Sequence, residues 1–238
     1  MDDYQRRFIA LALARRALRF GEFTLKSGRI SPYFFNAGLF NDGASLATLG
    51  QCYAAALAAC GLGFDMLFGP AYKGIPLVAA ASIAFATTQG RSVPWAFNRK
   101  EAKEHGESGS IVGTALAGRV VIVDDVITAG TAVRESIDLI RTAGAEPVGV
   151  ALALDRQERG LSAHSAVQEV QRQHGLRCVA IVTLDELIAA FEPDAAGTVP
   201  GSPGAGAAPA TSGAVAPTAA QLASMREYRR RYGVSPEG

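Results

Sequence analysis

Short apolar strands alternate with helices along most of this chain, and that alternation constrains its fold more than any other feature. Five runs predict strands, at residues 66–68, 93–97, 120–123, 147–154 and 177–184. They are rich in Val, Ile and Leu, which is typical of parallel strands buried on both faces. The sequence therefore predicts an α/β fold with a mostly parallel five-stranded sheet flanked by helices.

Helices and a small N-terminal unit surround this predicted sheet. Helices are expected at residues 46–60, 75–88, 131–143, 163–174 and 185–191. A helix at residues 3–19 and a β-rich segment at 22–36 lie outside the alternation and predict a hood at about residues 1–40. The core is expected at about residues 41–193. Together, hood and core are predicted to form one domain at residues 1–193.

The chain changes character after Pro193. Residues 195–220 contain almost only Ala, Gly, Pro, Ser, Thr and Val, so they cannot build a core. We therefore expect a flexible low-complexity segment at 194–220. Helical spacing returns near residue 219, where one face carries Leu222, Met225, Tyr228 and Tyr232. Residues 221–238 are predicted to hold a helix that docks on the core.

Charge and cysteine content narrow the expected partners and location. The formal net charge is +1, so no global field favours nucleic acid or a membrane surface. The longest apolar run, residues 75–86, is shorter than the roughly 20 residues that a bilayer requires. The acidic opening Met1-Asp2-Asp3 predicts that no signal peptide is present. Its three cysteines form no CxxC pair, which favours reduced thiols in the cytoplasm.

The segment VVIVDDVITAGTA, residues 120–132, ends an apolar strand with two adjacent carboxylates. A magnesium-holding strand of a P-loop NTPase is excluded, because no GxxxxGK[ST] loop occurs in the chain. A surface turn in which one Asp caps the next helix stays possible, but it leaves the second acid and the TAGT run unexplained. A sugar-phosphate site accounts for all of these residues.

In that interpretation one turn binds a ribose and its phosphate together. Ligands of parallel sheets lie beyond the carboxyl ends of the strands. The amides that open the next helix would face the phosphate, since the helix dipole favours negative charge. Gly130 allows a close approach, and Thr128 and Thr131 add hydroxyl donors. Asp124 and Asp125 can accept the vicinal hydroxyls of the sugar.

Two further segments carry cations that could meet a diphosphate. RKEAKEHGE, residues 99–107, contains the basic side chains Arg99, Lys100, Lys103 and His105. A mobile cationic lid would suit a reaction that releases pyrophosphate, although such runs are usually solvated charged loops. GPAYKG, residues 69–74, offers Tyr72 and Lys73 at the same rim, although alone it indicates only a strand-to-helix turn.

A fourth segment, LKSGRISPYFFNAG, residues 25–38, lies in the predicted hood. Phe34 and Phe35 either pack in the core or form a flat apolar wall for a planar heterocycle. In the second case, backbone groups of the protein could contact the edge of the heterocycle. Lys26 would supply a cation for an anionic partner.

The acidic turn resembles the signature with which type I phosphoribosyltransferases bind phosphoribosyl pyrophosphate (PRPP). Together, the four segments resemble those of the short bacterial orotate phosphoribosyltransferases in order and spacing. The resemblance covers about residues 1–193 and the last helix. The segment 195–220 is longer than that family needs.

The resemblance implies a fold, a reaction and partners. The fold would be that of type I phosphoribosyltransferases. The enzyme, a pentosyltransferase, would transfer the phosphoribosyl group of PRPP to orotate, giving orotidine 5′-monophosphate and pyrophosphate in UMP biosynthesis. Mg²⁺ would be the cofactor, held mainly by PRPP, with no metal site of the protein's own. A homodimer is implied, because residues that match Arg99, Lys103 and His105 reach the neighbouring subunit's site in this family.

The same resemblance assigns roles to individual residues. PRPP would be bound by Lys26, Tyr72, Lys73, Arg99, Lys100, Lys103, His105, Asp124, Asp125, Val126, Ile127, Thr128, Ala129, Gly130, Thr131 and Ala132. Orotate would be bound by Lys26, Phe34, Phe35, Thr128 and Arg156. The residues expected to drive catalysis are Lys73, Arg99, Lys103, His105 and Asp125.

Other functions fit parts of the pattern. A phosphoribosyltransferase for a purine or uracil would share the acidic turn, and only the hood segment and Arg156 argue against it. A regulator that senses PRPP without catalysis should lack a complete cationic segment. A purely structural protein would have no use for polar residues clustered at strand ends.

Overall fold

The computed structural model describes residues 1–25, 27–100, 110–128, 130–160, 162–192 and 215–235. The helices of this part are α1 (Asp3–Ala14), α2 (Gly43–Ala59), α3 (Gly74–Gln89), α4 (Thr131–Thr142), α5 (Ala166–His174), α6 (Leu184–Ala189) and α7 (Ala219–Tyr232). The strands are β1 (Leu18–Thr24), β2 (Ile30–Phe35), β3 (Met66–Gly69), β4 (Trp95–Asn98), β5 (Ile111–Gly113), β6 (Arg119–Asp124), β7 (Glu146–Asp155) and β8 (Arg177–Thr183). None of these helices combines the length and apolar character needed to cross a bilayer.

Within the described residues, six strands form the main sheet in the order β5-β4-β3-β6-β7-β8. Five of these strands are mutually parallel, namely β4, β3, β6, β7 and β8. Strand β5 runs antiparallel to its neighbour β4. The prediction of a mostly parallel sheet flanked by helices is confirmed, and the five predicted strands are the parallel ones. The prediction missed β5, because its three partly exposed residues are too few to show a strand period.

Residues of β6 alternate between the two faces of the main sheet. Val121 and Val123 join a hydrophobic cluster with α1, α2, α3, α6 and α7, whereas Val120 and Ile122 join a second cluster with α4 and α5. All four side chains are fully buried. Burial on both faces explains the continuous apolar run of this strand and sets the point at which Asp124 emerges from it.

The hood contains a two-stranded antiparallel hairpin, β1 and β2, outside the main sheet. The helix predicted at 3–19 is wrong at its C-terminal end, because α1 stops at Ala14. Arg16 has a left-handed backbone with φ 54°, and Leu18 then pairs with Phe35 in the hairpin. Leu18 is buried there, so pairing with β2 overrides its helical spacing in the sequence.

One face of α7 packs on the hood. Leu222, Met225 and Tyr228 are buried, and the Tyr228 ring meets the Tyr33 ring of β2 edge-on with centroids 6.3 Å apart. Just after the helix, Gly233 forms an antiparallel bridge with Glu158. Residues 193–214, where most of the flexible segment is predicted, lie outside the described residues.

Helices α2 and α3 approach each other closely at Gly50. A Cβ on this residue would lie 2.3 Å from the carbonyl oxygen of Ala80 and 2.6 Å from its carbonyl carbon. Real Cβ atoms do not approach backbone so closely, so a larger residue would push the two helices apart. At Gly43, the first residue of α2, a Cβ would have no other atom within 4 Å.

We predict that Gly50→Ala lowers the free energy of unfolding by about 1–3 kcal/mol, the usual cost of overpacking a core. Alanine is the better helix former by up to about 1 kcal/mol, so a purely local effect would have the opposite sign. Urea denaturation measures the change, and Gly43→Ala is the matched control, expected to be neutral or slightly stabilising. A gain in stability for Gly50→Ala would contradict the close helix contact.

Candidate active site

Two loops meet at one edge of the main sheet. β3 ends at Gly69 and its parallel neighbour β6 ends at Asp124, so the loops after both strands lie on the same side. Between them is a cleft of about 290 Å³, lined by residues 70–73, 124–128 and 130–133. The structure therefore brings the GPAYKG segment and the acidic turn into one site.

Hydrogen bonds from buried elements fix the backbone of the acidic turn. The Tyr53 hydroxyl of α2 donates to the Asp124 carbonyl oxygen over 2.8 Å. The Ala153 amide of β7 donates to the Asp125 carbonyl oxygen over 2.9 Å. Each carboxylate also accepts the next amide in the chain, with Asp125 N and Val126 N both 2.9 Å from their acceptors. Two acids that are only 8% and 4% exposed are thus held in fixed orientations.

The two carboxylates have different electrostatic surroundings. Lys73 Nζ lies 2.7 Å from Asp125 Oδ2, so an ion pair joins the two sides of the cleft. Burial raises the pKa of the Asp124 carboxyl above its ordinary value, and the charge of Asp125 raises it further. The Lys73 side chain is still 59% exposed, which leaves its ammonium accessible to an anion.

The N-terminus of α4 provides a third side of the cleft. Gly130 precedes the helix with a left-handed backbone, φ 71°, which glycine adopts without strain. The first N–H groups of a helix have no partner within it, and residues 131–133 line the cleft. These amides and the helix dipole favour an anion at this end.

The loop after β3 forms a tight turn. A Cβ on Gly69 would lie 2.3 Å from the Gly74 carbonyl oxygen, so the two ends of the turn require glycine. The Ala71–Tyr72 peptide is cis, and the Ala71 amide donates to Asn98 Oδ1 of β4 over 2.8 Å. Asn98 thereby connects the loop to the neighbouring strand.

The cationic segment begins beside this loop. Lys100 Nζ lies 5.5 Å from the centre of the exposed Tyr72 ring. The Arg99 amide donates to the Ser110 carbonyl oxygen over 2.7 Å, so these two described residues lie side by side. The other predicted site residues Lys26, Lys103, His105 and Ala129 lie outside the described residues.

Among the described residues predicted to bind the base, Phe34, Phe35 and Arg156 do not line this cleft. Arg156 follows β7 at the same edge of the sheet, with its guanidinium carbon 4.8 Å from the centre of the Tyr33 ring. The Phe35 ring packs in the core, 6.0 Å from that of Phe8, whereas Phe34 stacks on Phe23 at 5.5 Å. Consecutive strand residues face opposite sides, so the two Phe rings cannot form one wall.

Comparisons with known proteins identify the family. Residues 50–176 match the model of the phosphoribosyl transferase domain. An orotate phosphoribosyltransferase from Edwardsiella ictaluri is 54% identical over 235 residues, covering 98% of this chain and 100% of that protein. This chain belongs to the orotate phosphoribosyltransferase family.

Another orotate phosphoribosyltransferase, from Thioalkalivibrio sulfidiphilus, is 67% identical over 188 residues, which cover 79% of this chain and 88% of that protein. The crystal structure of the orotate phosphoribosyltransferase from Francisella tularensis is 38% identical, with a TM-score of 0.78 over 95% of this chain and 98% of that one. The type I phosphoribosyltransferase fold expected from the sequence is confirmed.

Three residues of this chain support the site, although the sequence analysis does not predict them. Asn98 holds the loop after β3, Tyr53 fixes the acidic turn, and Glu158 pairs with Arg156. Asn98 and Glu158 each follow a predicted parallel strand closely, and that position is a usable signal. Tyr53 lies inside a helix, where nothing in the sequence separates it from an ordinary core residue.

A divalent cation fits the carboxylate pair. In the described part of the chain, no cluster of three or more His, Cys, Asp or Glu side chains could hold a metal ion. Two adjacent carboxylates suit Mg²⁺, which keeps several waters and takes further oxygens from substrate phosphates. A cation beside Asp124 would also stabilise the ionised form of its carboxyl group, which burial disfavours.

We predict that Asp124→Asn abolishes turnover but stabilises the fold. Because the pKa of Asp124 is raised on folding, the folded protein binds more protons, and wild-type stability falls as pH rises from about 4 through that raised pKa. The Asn variant lacks this loss of stability, and its side-chain oxygen can still accept the hydrogen bond from the Asp125 amide. We expect a gain of about 1 kcal/mol or more above that range, measured by urea denaturation from pH 4 to 9.

Asp65→Asn is the control of opposite sign. Hydrogen bonds from Arg119 lower the pKa of Asp65 to about 2, so this carboxylate stabilises the fold above about pH 4 and loses the effect as pH falls through about 2. The Asp65 variant should be less stable at neutral pH. If Asp124→Asn lost stability in the same way, the electrostatic description of the carboxylate pair would be wrong.

Proposed function

We propose that this chain transfers the phosphoribosyl group of PRPP to orotate and releases orotidine 5′-monophosphate and pyrophosphate, a step of pyrimidine and UMP biosynthesis. The observation that carries the proposal is one cleft in which a buried carboxylate pair, a helix N-terminus and an ammonium meet. These features suit, in turn, the diol, the 5′-phosphate and the diphosphate of PRPP. Relatives that are 54% and 67% identical bear the name of this enzyme.

The ribose phosphate would bind at the end of β6. Ionised carboxylates only accept hydrogen bonds, so Asp124 and Asp125 suit the two neighbouring hydroxyls of the ribose. The amides of residues 126–132, at the start of α4, would face the 5′-phosphate. Thr128 and Thr131 add hydroxyl donors to the same turn.

The diphosphate would lie on the side of the β3 loop. Tyr72, Lys73 and Lys100 would contact it, and the ion pair with Asp125 keeps the Lys73 ammonium beside the cleft. Three further cations, Arg99, Lys103 and His105 of the partner subunit, would complete the site in a homodimer with shared active sites. Their charges would stabilise the negative charge that develops on the leaving pyrophosphate.

Orotate would lie between the acidic turn and the hood. Arg156 offers a planar pair of donors that matches a carboxylate. Backbone groups of Phe34 and Phe35, with Lys26 and Thr128, would hold the edge of the ring. This arrangement uses the backbone of β2 and leaves its alternating side chains in their packed positions.

The proposed chemistry is a displacement at C1 of the ribose. Orotate N1 forms the new bond while the bond from C1 to the pyrophosphate oxygen breaks, and the electron pair leaves with pyrophosphate. The chain would act by orientation and electrostatic stabilisation, without a protein nucleophile. Bound Mg²⁺ would neutralise charge on the diphosphate and would be held mainly by PRPP oxygens, with Asp124 and Asp125 as the carboxylates beside it.

The cytoplasm is the proposed location. Cys52, Cys60 and Cys178 are free thiols, and burial raises the pKa of Cys52 and Cys178 to about 12. Thiols of this kind persist in a reducing compartment. A formal net charge of +1 supports neither a nucleic-acid nor a membrane partner.

An ultraviolet assay of orotate consumption by the full-length chain tests the proposed function. We expect orotate loss that requires both PRPP and Mg²⁺, with no comparable reaction of uracil or hypoxanthine. Preference for another base would indicate a different phosphoribosyltransferase. PRPP binding without turnover of any base would indicate a regulator that senses PRPP.

Lys103→Ala should reduce turnover by about 100-fold or more, because it removes a charge that would act on the leaving group. Circular dichroism and thermal unfolding should remain those of the wild type. Arg230→Ala, which removes a 76%-exposed positive charge on α7, is the control and should leave turnover unchanged. Wild-type turnover in Lys103→Ala would remove the cationic segment from the mechanism.

A further inference from the structure

Arg156 is held by an acid that the proposed reaction does not use. Its Nε donates to Glu158 Oε1 over 2.9 Å, and its Nη2 donates to the same oxygen over 2.6 Å. Only 13% of the Arg156 side chain and 14% of the Glu158 side chain are exposed. A buried charge without a partner is strongly unfavourable. The Glu158 carboxylate therefore makes it possible to bury the Arg156 guanidinium at this position.

The pair with Glu158 does not use Nη1 of the guanidinium. Glu158 occupies the side edge formed by Nε and Nη2, and Ser31 Oγ of β2 lies 3.4 Å from Nη2. Nη1 forms no hydrogen bond with any residue that the structure describes. The guanidinium is planar and rigid, so a fixed side edge also fixes the direction in which the Nη1 edge points.

Glu158 is itself held by the hood. The Tyr33 hydroxyl of β2 donates to Glu158 Oε1 over 3.3 Å, and the Tyr33 ring packs against the Arg156 guanidinium at 4.8 Å. Tyr33 is fully buried. One aromatic side chain therefore contacts both members of the pair.

The segment after α7 holds Glu158 from the other side. Residues on either side of Glu158 form two backbone hydrogen bonds with this segment: Arg159 N to Tyr232 O at 2.9 Å and Val234 N to Gln157 O at 3.0 Å. Tyr228 of α7 packs edge-on against Tyr33. Burial, with the nearby charge of Glu158, raises the pKa of Tyr228 to about 12, as expected for a phenol that covers this pair.

We propose that Glu158 is a positioning residue for Arg156: it grips the side edge of the guanidinium so that the free edge faces the carboxylate of the base, while Tyr33 and the segment after α7 hold Glu158. This inference rests on the proposed function, because it assumes a base with a carboxylate, such as orotate. Glu158 itself does not contact the base. A competing role, in which Glu158 occupies Arg156 until the substrate displaces it, predicts the opposite effect on affinity.

Steady-state kinetics of Glu158→Ala in the full-length chain distinguish these roles. Loss of the grip should raise the KM for orotate about 10- to 100-fold, as expected for a misplaced binding group. The KM for PRPP should change less than about twofold, because its site lies at the ends of β3 and β6. Glu158→Gln keeps an acceptor oxygen at the same distance and should recover most of the orotate affinity.

Asp65→Ala is the matched control. Asp65 pairs with Nε and Nη2 of Arg119 at 3.1 and 3.0 Å, in the same side-on manner but at the opposite edge of the sheet. This variant should leave both KM values unchanged, so any general effect of removing a carboxylate from an arginine is excluded.

A lower KM for orotate in Glu158→Ala would overturn the proposal, because it would show that Glu158 competes with the base, and an unchanged KM would overturn it as well. If that variant fails to fold, Tyr33→Phe carries the test, since it removes one hydrogen bond to Glu158 and should raise only the KM for orotate. No orotate turnover in the wild-type chain would overturn the proposed function and this inference together. A failure confined to the variants would overturn the inference alone.

Discussion

The burial of β6 on both faces is the constraint on which the rest of the site depends. A strand covered on both sides cannot slip by one residue without moving every side chain to the wrong face. Val120 to Val123 therefore determine where the strand ends and where Asp124 and Asp125 emerge. The hydrogen bonds from Tyr53 and Ala153 then fix the backbone of both acids from the neighbouring elements.

This rigid frame holds a charge distribution that is unfavourable for the protein alone. Two nearly buried carboxylates are adjacent, and among the residues that the structure describes only Asp125 is paired with an ammonium, that of Lys73. The geometry therefore favours any ligand that brings positive charge to Asp124 and negative charge to the start of α4. A sugar diphosphate with its cation has both, so the proposed affinity for PRPP would arise from this unfavourable arrangement. Regions of this kind are where stability is given up for function.

Most of the fold could be predicted because its strands and helices follow simple periods. The five parallel strands are continuous apolar runs, and their ends carry the polar residues that define the site. The end of α1 could not be predicted, because Leu18 leaves the helix only to pair with Phe35, 17 residues later. The different faces of Phe34 and Phe35 likewise depend on where the β2 strand lies.

The supporting residues of the site have the weakest signal in the sequence, for the same physical reason. Tyr53 and Glu158 act through contacts with residues distant in the chain, such as Asp124 and Tyr33. Their roles follow from packing and not from their local sequence. By contrast, the acidic turn carries all its groups within a few consecutive residues, which is why the sequence alone predicts a sugar-phosphate site there.

The bridge between Glu158 and Gly233 also has a consequence for the order of synthesis. The ribosome must add 75 residues after Glu158 before Gly233 exists to pair with it, which takes roughly 4 to 15 s at ordinary elongation rates. Strand β8 is made within that time, so the chain holds every strand of the main sheet and the acidic turn before Gly233 is added. The support around Arg156 is completed only after translation has passed Gly233, so the proposed base site would be complete later than the proposed sugar-phosphate site.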